Sequence, residues 1–569
     1  MTLRDRTLIA ALAVAFVVMS GLAIAPSFVP AGATFSPRPS LAAERRYVEG
    51  VLGHATNISP FGARSSVDRD ITALVFRGLV RLGPDDTVVG DLASSWEVDP
   101  SGSRWTFHLR PGMQWQDGAP LTSGDVVFTI DALSDPAYSG PSAASWSEVR
   151  AVAQDALTVT LTLATPLGGF LQAATQAIAP AHLLSQTPPA DLATSPFGHA
   201  PVGSGPFRLA TIDDRGAILE AADPSPAPGA VGASPAATAR SSGAFPRPYL
   251  NGIEFRFFDD EATLTAAWDA GELDGASMLS PASAAALGAT PGARLVHYPS
   301  STTLVVVLNL RAGQTTFADT RVRKALLEAV DRDALVAQPL YGFGSVASSL
   351  IPTWAPEFSA TSSPVLPYDP AAARADLAAA GWKVGATSWT PKGAKAPLVV
   401  TVMSADATSN PIAFTVAEQV AVAWRAIGLA VTHQSVPAAD LLPKHLESGD
   451  FQAAVVPLVI GLDPDLYPLL ASSQTRTGGA NLSGVQDPSL DNLLVAARAP
   501  GSTEQRLAAY AALQQRLSSQ LYVLPLVFRE EVVVLRGTLQ GPAPRPVGGP
   551  GDRFWDVLTW RLADSPTGG

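Results

Sequence analysis

Alternating apolar and polar residues in two stretches of the chain predict half-buried β-strands. Trp105, Phe107 and Leu109 alternate with polar residues, and the odd-numbered residues from Leu157 to Leu163 are apolar in the same way. A period of two places successive side chains on opposite faces, so each strand has one face in the core and one in water. The short apolar run LVVVLNL, residues 304–310, is suited to a buried strand.

Apolar residues spaced three and four positions apart predict amphipathic helices between such strands. The stripes are Val322, Ala325, Leu326, Ala329 and Val330 in one helix and Val416, Val420, Ala423, Trp424 and Ile427 in another. In the first helix we expect Arg321, Arg323 and Lys324 on the solvent-exposed face. An earlier helix begins with a capping box, Thr122 and Asp125. The alternation of strands and helices favours an α/β fold with a mixed or parallel sheet.

The N-terminus has the pattern of an export signal. Arg4 and Arg6 precede an apolar run, residues 7–25, as in a secretory signal peptide or a signal anchor. The run is just long enough to span a bilayer as a helix, so cleavage and membrane anchoring both stay open. The Pro- and Ser-containing stretch up to residue 43 is predicted to be a disordered tether. We therefore expect an extracytoplasmic protein.

Composition narrows the functional classes. The 569 residues exceed one domain, and 47% apolar with only 15% charged residues indicate a globular chain. A net charge of −12 argues against nucleic acid as a partner. The absence of cysteine excludes disulfides, thiolate metal sites, cysteine nucleophiles and a lipid-modified cysteine anchor. We expect no cofactor, no metal site and no catalytic residue.

Several long motifs resemble a known family. Residues 91–128 read DLASSWEVDPSGSRWTFHLRPGMQWQDGAPLTSGDVVF, followed later by PVGSGPFRLA at 201–210 and FADTRVRKALLEAVDRDALV at 317–336. This order resembles the family 5 solute-binding proteins of bacterial ABC importers, the oligopeptide- and dipeptide-binding family. The resemblance covers nearly all of residues 46–560.

The resemblance implies a two-lobed periplasmic-binding-protein-like fold, type II and cluster C, with an extra small subdomain in the first lobe. Residues 1–43 would be the signal and tether. The first lobe would take 44–75, 200–303 and 523–562, the small subdomain 76–199, the second lobe 304–522, and the tail 563–569. A low-complexity stretch rich in Ala, Pro, Ser and Gly, residues 222–245, is predicted to be a disordered surface insertion in the first lobe.

The function that the resemblance implies is a monomeric receptor that closes on a peptide or another small solute and delivers it to ABC permease subunits. A membrane-tethered sensor or scaffold with the same fold stays open. A secreted hydrolase is less compatible with the chain, because no GxSxG or HExxH motif occurs and the seven histidines are scattered. We therefore expect a binding protein and not an enzyme.

Candidate ligand-binding residues come from segments that resemble the family's cleft. Residues 461–484 offer charged, aromatic and amide side chains, and two more polar candidates lie in earlier loops. The set is Asn57, Ser204, Asp463, Asp465, Tyr467, Arg476 and Asn481. A purely structural interpretation is available as well, such as the turn that Asp463 and Pro464 can form before a helix.

Two positions depart from the dipeptide-binding members. Ile460 stands where they carry the aspartate that pairs with the ligand's amino group, and Ala407 stands where they carry the arginine for its carboxylate. A free dipeptide would therefore lose the partners of both of its charged termini. Burying an unpaired charged terminus costs several kcal/mol. Longer peptides and uncharged or non-peptide ligands are compatible with these departures.

Overall fold

A mixed sheet of eleven strands runs through the described part of the chain. The computed structural model describes residues 46–84, 87–223, 246–385, 388–476 and 478–563. The predicted signal and tether, nearly all of the low-complexity insertion and the tail from 564 lie outside these residues. Among the described residues, no helix is both long and apolar enough to cross a membrane.

The strands are given in chain order. They are β1 (Tyr47–Leu52), β2 (Val80–Leu82), β3 (Val88–Gly90), β4 (Ala93–Val98), β5 (Arg104–Leu109), β6 (Val149–Asp155), β7 (Thr158–Leu163), β8 (Phe207–Asp213), β9 (Gly216–Ala221), β10 (Gly252–Phe258), β11 (Gly275–Ser277), β12 (Ala293–Leu308), β13 (Gly344–Val346), β14 (Lys383–Val384), β15 (Trp389–Thr390), β16 (Val399–Ala405), β17 (Ala430–Val436), β18 (Ala453–Val459), β19 (Val523–Arg536), β20 (Leu539–Gln540) and β21 (Arg561–Leu562).

The helices are named by their bounds. They are Ser66–Val75, Ser123–Ser134, Ala143–Trp146, Phe170–Ala173, Ala181–Leu184, Pro189–Leu192, Glu261–Asp269, Pro281–Gly288, Thr320–Glu328, Arg332–Ala337, Pro370–Ala379, Pro411–Ala426, Ala438–Asp440, Tyr467–Leu470, Pro488–Arg498 and Thr503–Gln520. Shorter or irregular helical turns are Pro196–His199, Leu441–Leu446, Ser472–Thr475, Pro550–Phe554 and Val557–Thr559.

The large sheet is mixed, as the alternation of helices and strands predicts. Its order is β17-β16-β18-β12-β19-β11-β1-β10-β9-β8, with β13 paired to β19. Strand β1 is parallel to β10 and β11, and β16 is parallel to β17 and β18, whereas β12 is antiparallel to both of its neighbours. The predicted buried run at 304–310 forms the last part of β12, which ends at Leu308.

Strands β12 and β19 contribute to four hydrophobic clusters of the described residues. Two of them, which include Val296 and Val534, lie at one end of the strand pair and form the first core; the other two, which include Val305 and Val306, lie at the other end and form the second core. At one end of the strand pair, Val296 and Leu535 pack with residues of β1 and β10. At the other end, Val306 and Leu526 pack with residues of helix Pro411–Ala426. The pairing of the two strands shifts register between Pro299 and Thr303 and again after Leu304. The two cores are therefore joined by a strand pair that is irregular between them.

A second sheet confirms the strand predictions made for the first third of the chain. It is antiparallel, with the order β4-β5-β7-β6. Trp105, Phe107 and Leu109 are buried on one face, as are the apolar residues of β7. The predicted capping box of helix Ser123–Ser134 is present. The Thr122 side chain accepts a hydrogen bond from a backbone N–H of the first turn, and the Asp125 side chain accepts one from the Thr122 N–H.

The helix stripes are confirmed, but one expectation for the polar face is wrong. Arg323 is 4% exposed, and its guanidinium donates to the backbone carbonyls of Gln520 (2.8 Å) and Phe317 (2.7 Å). The buried guanidinium is thus hydrogen-bonded to one carbonyl at the end of helix Thr503–Gln520 and to another just before its own helix, Thr320–Glu328. Spacing along one helix cannot reveal such a partner, which lies almost two hundred residues away.

Replacing Trp424 with alanine is expected to cost about 3–5 kcal/mol of unfolding free energy, as for other large-to-small core substitutions. Its ring is fully buried and its Nε1 donates to the Leu326 carbonyl (2.9 Å), which ties two helices together. Urea unfolding followed by circular dichroism measures the loss. Val422→Ala on the same helix is the control, because Val422 is 58% exposed. Equal losses of unfolding free energy for both variants would contradict the assignment of Trp424 to the core.

Candidate functional site

A cavity of about 250 Å³ lies where β12 and β19 pass between the two cores. Its walls come from helix Ser66–Val75, the residues after β11, the two strands and the turn Pro550–Phe554. Residues that line it include Ser66, Asp70, Met278, Thr302, Glu531 and Arg553. The register shift of β12 adjoins this wall, so the cavity opens at the most irregular part of the large sheet.

Three consecutive charged residues interrupt the apolar strand β19 at the cavity. Arg529 and Glu531 lie two positions apart, so their side chains share one face of the strand. Both are partly exposed and line the cavity. Glu530 between them pairs with His297, at 2.8 Å from its Nδ1. The cavity thus receives a guanidinium and a carboxylate from one strand.

A buried ion network forms the floor of the cavity. Arg553 lies between Glu49 and Asp70, and all three side chains are at most 4% exposed. Its Nη2 donates to Glu49 Oε1 (2.7 Å), and its Nε donates to Asp70 Oδ2 (3.1 Å). Glu49 also accepts hydrogen bonds from the hydroxyls of Tyr47 and Ser277. One guanidinium therefore serves two buried carboxylates.

The second oxygen of Asp70 has no hydrogen-bond partner among the described residues. Both contacts from Arg553 go to Oδ2, whereas Oδ1 is buried and unpaired. Burial raises the pKa of Asp70 to about 6, against the opposing effect of Arg553. Burial also raises the pKa of Glu531 to about 7, and the Asp70 charge adds to that rise. Ionisable groups with shifted pKa values are concentrated at functional sites.

Backbone strain marks one wall of the cavity. Met278, directly after β11, has a φ of 60°, a left-handed conformation that side chains other than glycine seldom adopt. Such conformations cost of order 1 kcal/mol or more and recur at binding and catalytic sites. The hydroxyl of the preceding Ser277 donates to Glu49, so the strained turn is attached to the ion network below it.

Three of the residues predicted from sequence form a charged cluster beside the second core. Asp463 pairs with Arg506 at 2.7 Å, and Asp465 pairs with Arg498 at 3.0 Å. The Arg498 guanidinium stacks over the Tyr467 ring, 4.3 Å from its centroid. Burial raises the pKa of Asp463 to about 6 although Arg506 lowers it. These side chains already have protein partners.

The charged cluster meets residues near the four-stranded sheet. The Gly168 N–H donates to the Arg498 carbonyl at 2.9 Å. A Cβ at Gly169 would lie 1.9 Å from Asp463 Oδ2, and one at Gly102 would lie 2.4 Å from Pro500. Glycine is required for this close approach.

The other predicted residues lie apart from each other. Asn57, Ser204 and Asn481 are buried, and Asn481 donates to three backbone carbonyls, those of Leu470, Ala471 and Val485. Asn57 donates to the Ala193 carbonyl, and Ser204 accepts from the Arg77 N–H. Arg476 is exposed. None of the seven predicted residues lines the cavity, and their ligand contacts stay predictions.

The two positions that depart from the dipeptide-binding pattern, Ile460 and Ala407, lie in different environments. Ile460 is 7% exposed, and its N–H donates to the Ser301 carbonyl at 3.2 Å. Ala407 is exposed in the turn before helix Pro411–Ala426.

The charged lining of the cavity was not predicted from the sequence. One signal was present, since Arg529, Glu530 and Glu531 interrupt an otherwise apolar strand. The convergence of Glu49, Asp70 and Arg553 had no local signal, because the arginine lies 504 positions from Glu49 and 483 from Asp70.

Two cores joined by a pair of long strands, with a polar cavity at the junction, define the two-lobed class of solute-binding proteins. Residues 87–480 match the family described as bacterial extracellular solute-binding proteins, family 5. The chain belongs to this family, whose members are extracytoplasmic substrate-binding proteins of transport systems. The predicted family and the predicted two-lobed α/β fold class are therefore confirmed, whereas the extra small subdomain stays a prediction.

Curated relatives and solved structures agree with this assignment. The chain is 25% identical to a putative ABC transporter peptide-binding protein of Brucella melitensis over 95% of this chain and 98% of that one. It is 27% identical to the glutathione-binding protein GsiB of Salmonella paratyphi A, over 62% of this chain and 65% of the relative. The alignment thus spans slightly less than two thirds of that relative.

Among solved structures, similarity extends over almost the whole fold. The oligopeptide-binding protein AppA of Bacillus subtilis, solved with a nonapeptide, gives a TM-score of 0.71 at 22% identity, covering 91% of this chain and 99% of that one. NikZ of Campylobacter jejuni, solved with Ni(L-His), gives the same values. At this identity the similarity concerns the fold alone.

Glu531→Gln is expected to stabilise the protein near pH 8 by about 1–3 kcal/mol, since one pKa unit corresponds to about 1.4 kcal/mol. The pKa of Glu531 rises from 4.5 to about 7 on folding, so between these values the folded chain holds a proton that the unfolded chain has released. The unfolding free energy therefore falls as pH rises through this window.

Urea unfolding at intervals from pH 4.5 to 8 measures this effect. The wild-type curve should fall across the window, and the Glu531→Gln curve should fall less. Glu97→Gln is the control, because Glu97 is an exposed residue of β4, and its curve should follow the wild type. A Glu531→Gln curve parallel to the wild-type curve would contradict the raised pKa of Glu531 in the folded protein.

Proposed function

We propose that the chain is the substrate-binding receptor of an ABC importer, which captures a peptide or another small solute and delivers it to permease subunits in the membrane. The observation that carries this proposal is the charged cavity between the two cores, at the irregular part of the strand pair that joins them. The names of the relatives, which include peptide- and glutathione-binding proteins, favour a peptide-like ligand.

The proposed lobes follow the two cores. The first lobe takes residues 44–75, 200–303 and 523–562, with 76–199 as its small subdomain, and the second lobe takes 304–522. Strand β12 would then cross between the lobes and act with β19 as the hinge, since bulges allow a strand pair to bend. The two cores on either side of the register shift support two lobes, but Leu524 and Leu526 of β19, which these bounds count with the first lobe, pack in the second core.

Closure would bring the small subdomain onto the second lobe. The contacts of Gly168 with Arg498, Gly169 with Asp463, and Gly102 with Pro500 connect these two parts. A ligand drives closure only if it makes contacts in the closed form that the open form lacks. The cluster around Asp463 and Arg506 would thus hold the closed form and contact a ligand only at its edge.

The proposal includes the remaining features of such a receptor. Residues 1–43 direct export, whether or not they are then cleaved, and the protein acts as a monomer outside the cytoplasm. It performs no chemical step on its ligand and binds no nucleic acid, in agreement with its net charge of −12.

A thermal-shift screen of the full chain tests the receptor function. Peptides of two to eight residues, glutathione and simple sugars are the probes, with mass spectrometry to detect cleavage products. A ligand at a hundred times its dissociation constant adds about 2.7 kcal/mol to the unfolding free energy. A raised midpoint with an intact probe supports the receptor, a cleaved probe indicates a hydrolase, and no shift with any probe contradicts the proposal.

Gly169→Val is expected to weaken ligand binding by about tenfold or more, which corresponds to about 1.4 kcal/mol. The added side chain would collide with Asp463, which Arg506 holds in place, and closure would be blocked. Isothermal titration with the ligand found in the screen gives the change. The unliganded variant should unfold near the wild-type midpoint, because the collision can be relieved by opening.

Gly537→Ala is the control for this prediction. A Cβ at position 537 meets only the Gly292 carbonyl, at an ordinary contact distance of 3.7 Å. Its affinity should equal that of the wild type. If Gly169→Val also binds with wild-type affinity, contact between the small subdomain and the second lobe is not part of ligand capture.

A further inference from the structure

We propose that the cavity binds the cationic nitrogen of a small solute, an ammonium or guanidinium group, between the unpaired Oδ1 of Asp70 and the carboxylate of Glu531. The inference rests on the proposed receptor function and specifies the ligand chemistry of its site. The two residues that would recognise the cationic nitrogen are Glu531 on the proposed hinge and Asp70 in the proposed first lobe.

The charges around the cavity do not balance. Arg553 is shared by Glu49 and Asp70, and Arg529 faces the same cavity as Glu531. The carboxylates Glu49, Asp70 and Glu531, with Asp552 nearby, outnumber these two guanidinium groups when all are ionised, and Glu530, which also lines the cavity, is paired with His297. A cationic nitrogen would reduce the excess of negative charge, whereas an anionic group would add to it. Buried charges are stable only when they are paired.

The unpaired oxygen of Asp70 points to a ligand and not to a fully satisfied internal network. Oδ1 is buried in a side chain only 1% exposed, and no donor among the described residues reaches it. A buried acceptor without a donor costs folding free energy. Asp70 lines the cavity, and its Oδ1 has almost no solvent-accessible surface. A ligand N–H in the cavity would supply the missing hydrogen bond once the carboxyl group turns toward it.

Asp70 and Glu531 line the same cavity, and the Asp70 charge contributes to the raised pKa of Glu531. Two carboxylates that repel one another are both relieved by one cation between them. Among the described residues, no group of three or more His, Cys, Asp or Glu side chains is placed to hold a metal ion. An organic cation is therefore favoured over a metal.

The size of the cavity restricts the solute. Its volume of about 250 Å³ lies slightly below the range of about 300–1,000 Å³ that ligand pockets occupy. This volume suits a solute no larger than a short peptide. The carboxylate missing at Ile460 would then be replaced by those of Asp70 and Glu531.

Isothermal titration of the full chain with matched probes tests the proposal. The probes are L-alanyl-L-alanine, putrescine and L-arginine methyl ester, each compared with a counterpart whose amino groups are acetylated. At least one free amine should bind tenfold or more tightly than its acetylated counterpart. Equal affinity within every pair, or no binding by any of the three, would overturn the assignment.

Variants of the cavity give a second criterion. Glu531→Gln keeps the size of the side chain and removes its charge, and it should weaken binding of the free amine tenfold or more. Glu220→Gln on β9 should leave the affinity unchanged. Wild-type affinity in Glu531→Gln would contradict the role of this carboxylate. Asp70→Asn is avoided, because it would also break the pair with Arg553.

The pH dependence of binding gives a measurement on the unmodified protein. Protonation of the two carboxylates between pH 8 and 5.5 should weaken binding of the amine tenfold or more, and binding near pH 6 should release protons to the buffer. The charged and titratable groups around them are Glu49, Arg69, Arg529, Glu530 with its partner His297, Asp552 and Arg553. An amine affinity that does not change with pH would overturn the proposal.

The outcomes separate this inference from the receptor function. If a peptide or sugar raises the midpoint in the thermal-shift screen but amines show no preference over acetylated counterparts, the receptor function stands and the cation site is wrong. If no probe of either experiment binds, the receptor function itself is contradicted.

Discussion

The antiparallel pairing of β12 with β19 is the constraint on which the rest of this structure depends. Each strand contributes to both hydrophobic cores, so neither core is complete without them. The pairing is regular at both ends and shifts register in between. A shift at this place bends the sheet where the cavity lies, because a bulged strand pair twists more than a regular one. The fold and the position of the site thus have a common cause.

The cavity is built from groups that lower the stability of the folded chain. Arg553 compensates two buried carboxylates only in part, Asp70 keeps an unpaired oxygen, and Met278 holds a strained backbone. A well-packed apolar junction of the same size would be more stable. Retaining such groups is understandable if a ligand supplies the missing partner, which is the usual relation between strain and function.

The charged cluster beside the second core has a different character. Asp463, Asp465 and Tyr467 are paired with or stacked against arginines, and the cluster meets Gly168 and Gly169 across a narrow contact. Sequence resemblance predicts these residues as ligand contacts. Their pairing within the protein supports a part in closure, although two buried nitrogens of the same cluster, Arg498 Nε and Arg506 Nη1, have no hydrogen-bond partner among the described residues.

The sequence by itself determined the local structure and the family. Periods of two and of three to four residues placed β5, β7 and the helices correctly, and capping residues marked where helices begin, because these signals arise between neighbours in the chain. The burial of Arg323 and the meeting of Glu49, Asp70 and Arg553 were decided only by the tertiary structure. Their partners are separated by hundreds of residues, and only the folded sheet brings them within hydrogen-bonding distance.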